Sequence, residues 1–69
     1  MSDIFYSGYR LAELELEEAI LDGHDALKWV RTSLATFDND PANGAFQNGV
    51  KQLLIDEEYY LQHFEKEKT

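Results

Sequence analysis

The chain has 69 residues, with fourteen acids against six bases and a formal net charge of −8. That length makes one domain, whose single core supplies only ~3–5 kcal/mol of net stability, and the charge argues against binding nucleic acid phosphates or an anionic membrane surface. The lack of cysteine excludes disulfides and thiolate metal sites, while a 43% hydrophobic composition is too apolar for a disordered tail.

The opening Met1-Ser2-Asp3-Ile4-Phe5-Tyr6 carries an acid where a signal peptide would be basic, and no apolar run approaches the ~18 residues of a membrane helix. A cytoplasmic protein is the expectation. From about residue 7 to residue 35, Tyr9, Ala12, Leu16, Ile20, Leu27, Val30 and Leu34 fall in one stripe at the helical period of about 100° per residue. Lys28 and Arg31 sit toward its C-terminal end, where cations favour the helix macrodipole. Asp22-Gly23-His24-Asp25 interrupts the pattern, because glycine inside a helix costs about 1 kcal/mol relative to alanine. Gly23 also falls on the apolar stripe, where it would admit a second helix closely, so the sequence reading favours one continuous helix over a break.

Turn formers cluster in Phe37-Asp38-Asn39-Asp40-Pro41-Ala42-Asn43-Gly44, with a turn expected at about 36–40 and Asp40-Pro41 reading as an N-cap followed by proline at the first helical position. A second helix is then expected over about 41–66, with Phe46, Val50, Leu53, Leu54, Tyr60, Leu61 and Phe64 on one face. Gly44 and Gly49 soften its start. The expected fold is all-α: an antiparallel helical hairpin forming one domain, with two hairpins pairing into a homodimeric four-helix arrangement that covers both stripes. The core and dimer positions are Leu16, Ile20, Leu27, Val30, Leu34, Phe46, Val50, Leu53, Leu61 and Phe64.

Four features exceed what a hairpin needs. Leu11, Leu14, Leu21 and Trp29 project off the main stripe, interleaved with Glu15, Glu18, Asp22 and Asp25. A tryptophan carries ~200 Å² of surface, so something should cover it, either the fold's own dimer or a foreign partner. The acids Glu13 and Glu17, Glu18 and Asp22, and Asp22 and Asp25 are like-charged helix neighbours, each pair costing roughly 0.2–0.5 kcal/mol. They form either a solvated face or a surface for a lysine- or arginine-rich protein. Glu57 falls in the middle of the second apolar stripe, where Arg31, Arg10, His24 or a tyrosine hydroxyl could pair with it. Tyr59 and Ile55 lie on the opposite side of that helix, near His63 and Asp56. The candidate partner-binding residues are Glu15, Glu18, Asp22, Asp25, Trp29 and Tyr59.

No phosphate loop, dinucleotide fingerprint, zincin pattern or EF-hand spacing occurs, and Leu21 and Tyr60 stand three residues before His24 and His63 where di-iron bundles need glutamate. No catalytic, metal or cofactor site is therefore expected, and the chain reads as a binding protein rather than an enzyme. The helix Tyr9-Arg10-Leu11-Ala12-Glu13-Leu14-Glu15-Leu16-Glu17-Glu18 and the run Asp56-Glu57-Glu58-Tyr59-Tyr60, on so short and acidic a chain, resemble the small host-takeover proteins of bacteriophages, in particular those of the quorum-sensing anti-activator type. The resemblance implies a dimer that occupies the basic DNA-binding region of a LuxR-type transcription activator and also engages a type IV pilus assembly ATPase. Such an acidic face would compete for lysines and arginines that otherwise meet phosphates. Two alternatives remain: a self-assembling scaffold hairpin, and a DNA mimic that inhibits a nuclease or an immune complex.

Overall fold

The Asp22-Gly23-His24-Asp25 interruption ends one helix and begins the next. Gly23 adopts φ +92°, a left-handed conformation that glycine enters without steric cost. Its N–H donates to the Ile20 carbonyl at 3.0 Å, and the His24 N–H donates to the Ala19 carbonyl at 3.0 Å. These two bonds are the reversed pair of a Schellman stop, which satisfies carbonyls that the helix end leaves open. Two residues later Asp25 caps the next helix, its carboxylate accepting from the Lys28 N–H at 2.9 Å.

The computed structural model describes residues 3–68, with side chains through residue 64. Helices α1 (Asp3–Leu21), α2 (Ala26–Asn39) and α3 (Gly44–Lys68) make an all-α structure with no strand among the described residues. The single helix expected over 7–35 is thus two, because a stop and a fresh cap stand side by side. The second connection also differs from the expectation. Asp40 closes α2, donating its N–H to the Thr36 carbonyl, and α3 starts only at Gly44, whose φ of +86° admits the turn. Gln47 accepts from the Asn43 N–H at 2.8 Å, satisfying a donor that the helix start would leave open.

Both turns are short, so each helix reverses the direction of the one before it. Arg31 of α2 donates to Glu58 of α3 at 3.2 Å, while Phe37 lies against Val50, so numbers fall along α2 as they rise along α3. α1 and α3 consequently run parallel. They meet near their N-terminal ends, where Gly8 abuts the Phe46 carbonyl and Gly49 abuts the Phe5 carbonyl so closely that an added Cβ would lie 2.0 Å from either oxygen. Two glycines therefore set the depth of the α1–α3 crossing, closer than ordinary side chains permit. Gly49, expected only to weaken a helix start, instead admits the backbone of α1.

The core consists of Ala12, Leu16, Val30, Leu53 and Leu54, with Tyr9, Ala26, Trp29, Leu34, Phe37, Val50 and Leu61 packed partly buried against it. Leu16, Val30 and Leu53 take the buried positions expected of them, and Leu34, Val50 and Leu61 form its edge. Ile20, Phe46 and Phe64 do not join the core, being 49%, 39% and 43% exposed. Leu27 is only half-buried and lies outside the cluster. The turn at 22–25 resets the helical phase, so α2 presents Ala26, Val30, Leu34 and Phe37 inward instead of continuing the Ile20-Leu27-Leu34 row. The same reset turns Trp29 toward the core, away from Leu11, Leu14 and Leu21, with which a straight helix would have grouped it.

Along the α1–α3 seam the Tyr9 hydroxyl donates to Asp56 Oδ2 at 3.0 Å, and Gln52 Nε2 donates to Asp56 Oδ1 at 2.9 Å. Glu57 lies beside this pair, half-buried, and no hydrogen bond or ion pair reaches it among the described residues. The cations that could have met it are engaged elsewhere, Arg31 with Glu58 and Arg10 with Glu13. Burial first, then the neighbouring charges of Glu13 and Asp56, push the Glu57 carboxyl above its ordinary range. An acid raised in the folded state holds its proton longer than in the unfolded chain. Its stabilising contribution is complete below the ordinary glutamate range and is lost as pH rises through the raised value. Glu57→Gln is accordingly expected to raise the melting temperature at pH 7, with the gain over the parent chain vanishing below about pH 4. Parallel thermal melts at the two pH values, followed by circular dichroism, check this, and an equal gain at both would contradict it.

Candidate acidic and aromatic groove

α1 and α2 make the least extensive contact of the three helix pairs, and a groove opens between them. Ala12 of α1 and Val50 and Leu54 of α3 lie at its base, and Trp29, Ser33, Thr36 and Phe37 of α2 form one wall, with Glu15 on the other. Toward the α1–α2 turn the surface continues into a depression bounded by Glu15, Glu18, Ala19, Asp22, His24 and Trp29. Trp29 and Glu15 belong to both parts, so the groove is apolar along its length and acidic at one end.

This arrangement follows from local rules. Glu15, Glu18 and Asp22 repeat at intervals of three and four, which places them along one side of α1. The Schellman turn then folds α2 back so that Trp29, one turn inside its N-terminus, lies beside them. Trp29 is half-buried, with part of its ring against the core and the rest facing the groove. The structure thus brings together Glu15, Glu18, Asp22 and Trp29 of the six candidate residues. Asp25 is exposed nearby, but its carboxylate accepts the Lys28 N–H and its carbonyl accepts the Trp29 N–H at 2.9 Å, so it holds the turn that positions the indole.

Tyr59 stands apart. It is 67% exposed on α3, and its ring lies 4.3 Å from that of His63, centroid to centroid. It lines neither part of the groove. Phe37 was not singled out in the sequence because it opened the turn-forming cluster, although its position eight residues after Trp29 places both on one side of α2.

The groove's charge is uncompensated at its acidic end, since the two ion pairs among the described side chains, Arg10 with Glu13 and Arg31 with Glu58, leave Glu15, Glu18 and Asp22 outside them. Chemically it can desolvate an apolar side chain against Trp29 and Phe37 and meet cations with its rim. No group of three or more histidines, aspartates and glutamates among the described residues is placed to hold a metal ion, and no described helix is long and apolar enough to cross a membrane. In comparisons with known proteins, no family model, curated protein or solved structure matches this chain.

Proposed function

We propose that this is a small acidic regulator that binds a basic surface of another protein and blocks that protein's activity. The supporting observation is the continuity of the groove: three uncompensated carboxylates, Glu15, Glu18 and Asp22, border the same half-buried indole whose other side runs into an apolar channel. An aromatic anchor within a charged rim is the usual arrangement of an interface hot spot, the anchor supplying affinity and the rim supplying association rate and selectivity. The partner that fits is a lysine- and arginine-rich protein surface, and the DNA-binding region of a LuxR-type transcription activator is the proposed instance, with a pilus assembly ATPase as a second target. The protein would act in the host cytoplasm as a phage product, by occupancy and without catalysis.

Affinity capture from a bacterial lysate, followed by mass spectrometry, tests the reading. The parent chain is expected to retain a protein with a basic surface, and the Glu15→Lys, Asp22→Lys double variant is expected to bind that protein about tenfold or more weakly, equivalent to ~1.4 kcal/mol or more. Its circular dichroism should stay that of the parent, because both side chains are exposed. Undiminished capture by the reversed variant would sink this assignment of the surface.

A second reading has its own observation. Leu11, Leu14 and Leu21 are 42%, 44% and 84% exposed on α1, outside the groove and the core. Outward leucines on a prefolded helix favour self-pairing, so a homodimer accompanies the regulator proposal, and an assembly element whose contacts are only with itself is the alternative to it.

A further inference from the structure

The outward side of α1 carries a heptad pattern. Ile4, Ser7, Leu11, Leu14, Glu18 and Leu21 fall at alternating spacings of three and four, the a and d positions of a coiled-coil seam. All six are exposed, Ile4 at 61% and Leu21 at 84%, and the seam runs ~25 Å along the helix. The face that packs in the bundle is a different one, built from Gly8, Ala12, Leu16 and Ala19.

We propose that this seam is the contact with a second copy of the chain, and that the two α1 helices pair antiparallel about a twofold axis between Leu11 and Leu14. The inference rests on the self-pairing put forward above and specifies its surface and register. In the antiparallel register Ile4 faces Leu21 of the other copy, Leu11 faces Leu14, and Ser7 faces Glu18, each contact occurring twice as an isologous interface requires. Arg10 and Glu17, at the flanking g positions, come opposite one another across the seam, so the guanidinium that Glu13 holds in its own chain also faces an acid of the other copy, twice by symmetry. The parallel alternative also gives Arg10 an acid, Glu15, but it stacks Glu18 on Glu18 between Leu14 and Leu21 and sets Glu17 against Asp22, placing like charges together. Charge therefore selects the antiparallel arrangement, while the leucines make the contact.

The test combines mass in solution with a register probe, made clean by the absence of cysteine in the chain. By sedimentation at tens of micromolar, the parent chain is expected at twice its 8.0 kDa mass, and Leu14→Arg at the single-chain mass with unchanged helical circular dichroism. An equimolar mixture of Ser7→Cys and Glu18→Cys chains under mild oxidation is expected to give the mixed disulfide. This second readout keeps its meaning even if Leu14→Arg folds poorly. A monomeric parent chain overturns the pairing itself. A dimer indifferent to Leu14→Arg overturns the seam, and disulfides joining residue 7 to residue 7 overturn the register. None of these outcomes bears on partner capture, which is read in separate variants at Glu15 and Asp22, neither of them a seam position.

Discussion

Gly49→Ala is expected to destabilise the protein by about 1–3 kcal/mol, the range of core overpacking, which is a large share of the few kcal/mol available to a domain this short. The helix-propensity scale gives the opposite sign, because alanine is favoured over glycine by about 1 kcal/mol in a helix interior. The structure decides between them. An added Cβ would sit 2.0 Å from the Phe5 carbonyl oxygen and 3.0 Å from the Tyr9 nitrogen, both backbone atoms that cannot rotate aside. The only relief is for α1 and α3 to separate, which would loosen the packing around Leu53 and Leu54. At roughly 4–8 °C per kcal/mol, the melting temperature should fall by ~4–20 °C. Gly8→Ala should behave alike, since its Cβ meets the Phe46 carbonyl at the same distance. Removing the Phe5 ring by Phe5→Ala should not rescue Gly49→Ala, because the obstacle is an oxygen of the main chain. A melting temperature at or above the parent's would show that the helices do not approach closely at this point.

The two contact glycines also mark the limit of what the sequence discloses. Periodicity identified Leu16, Val30 and Leu53 as buried because each lies near the centre of its own helix's apolar face, whatever the neighbour. Ile20 and Phe46 were placed on the same faces by the same rule, yet they lie at margins that the α1–α3 crossing leaves open. The crossing depends on Gly8 meeting Phe46 and Gly49 meeting Phe5, separations of about forty residues that no local pattern encodes. Gly23 is a different case. Its signal was present, a glycine followed two residues later by an aspartate, the signature of a helix stop followed by a cap. Its coincidence with the apolar stripe favoured the packing explanation over the conformational one. The groove was half legible: Glu15, Glu18, Asp22 and Trp29 share a face by spacing alone, but the packing of the indole against the core, on one wall with Phe37, follows from the turn at Gly23. Glu57 was visible as an irregularity, whereas the engagement of Arg31 by Glu58 one residue away needed coordinates.

Leu53→Ala is expected to cost about 2–5 kcal/mol, enough to leave the molecule largely unfolded at room temperature if its margin is as small as its length implies. Leu53 is 2% exposed within the central cluster beside Leu16 and Val30. Truncation there removes the transfer free energy of the side chain and leaves a void that packed helices close only in part. Phe46→Ala supplies the contrast. The periodic pattern put both residues on one buried stripe of α3, but Phe46 is 39% exposed at the side of a hollow shared with Phe37 and Val50. Its loss should cost only ~1–2 kcal/mol, the share of a phenylalanine's burial that the fold realises. Urea titrations of the two variants measure the difference directly, through midpoints compared at a common slope. The ordering is the informative quantity: if phenylalanine truncation proved the costlier, α3 would have to be rotated about its axis, bringing Phe46 into the core and moving Val50 and Leu54 away from the base of the groove.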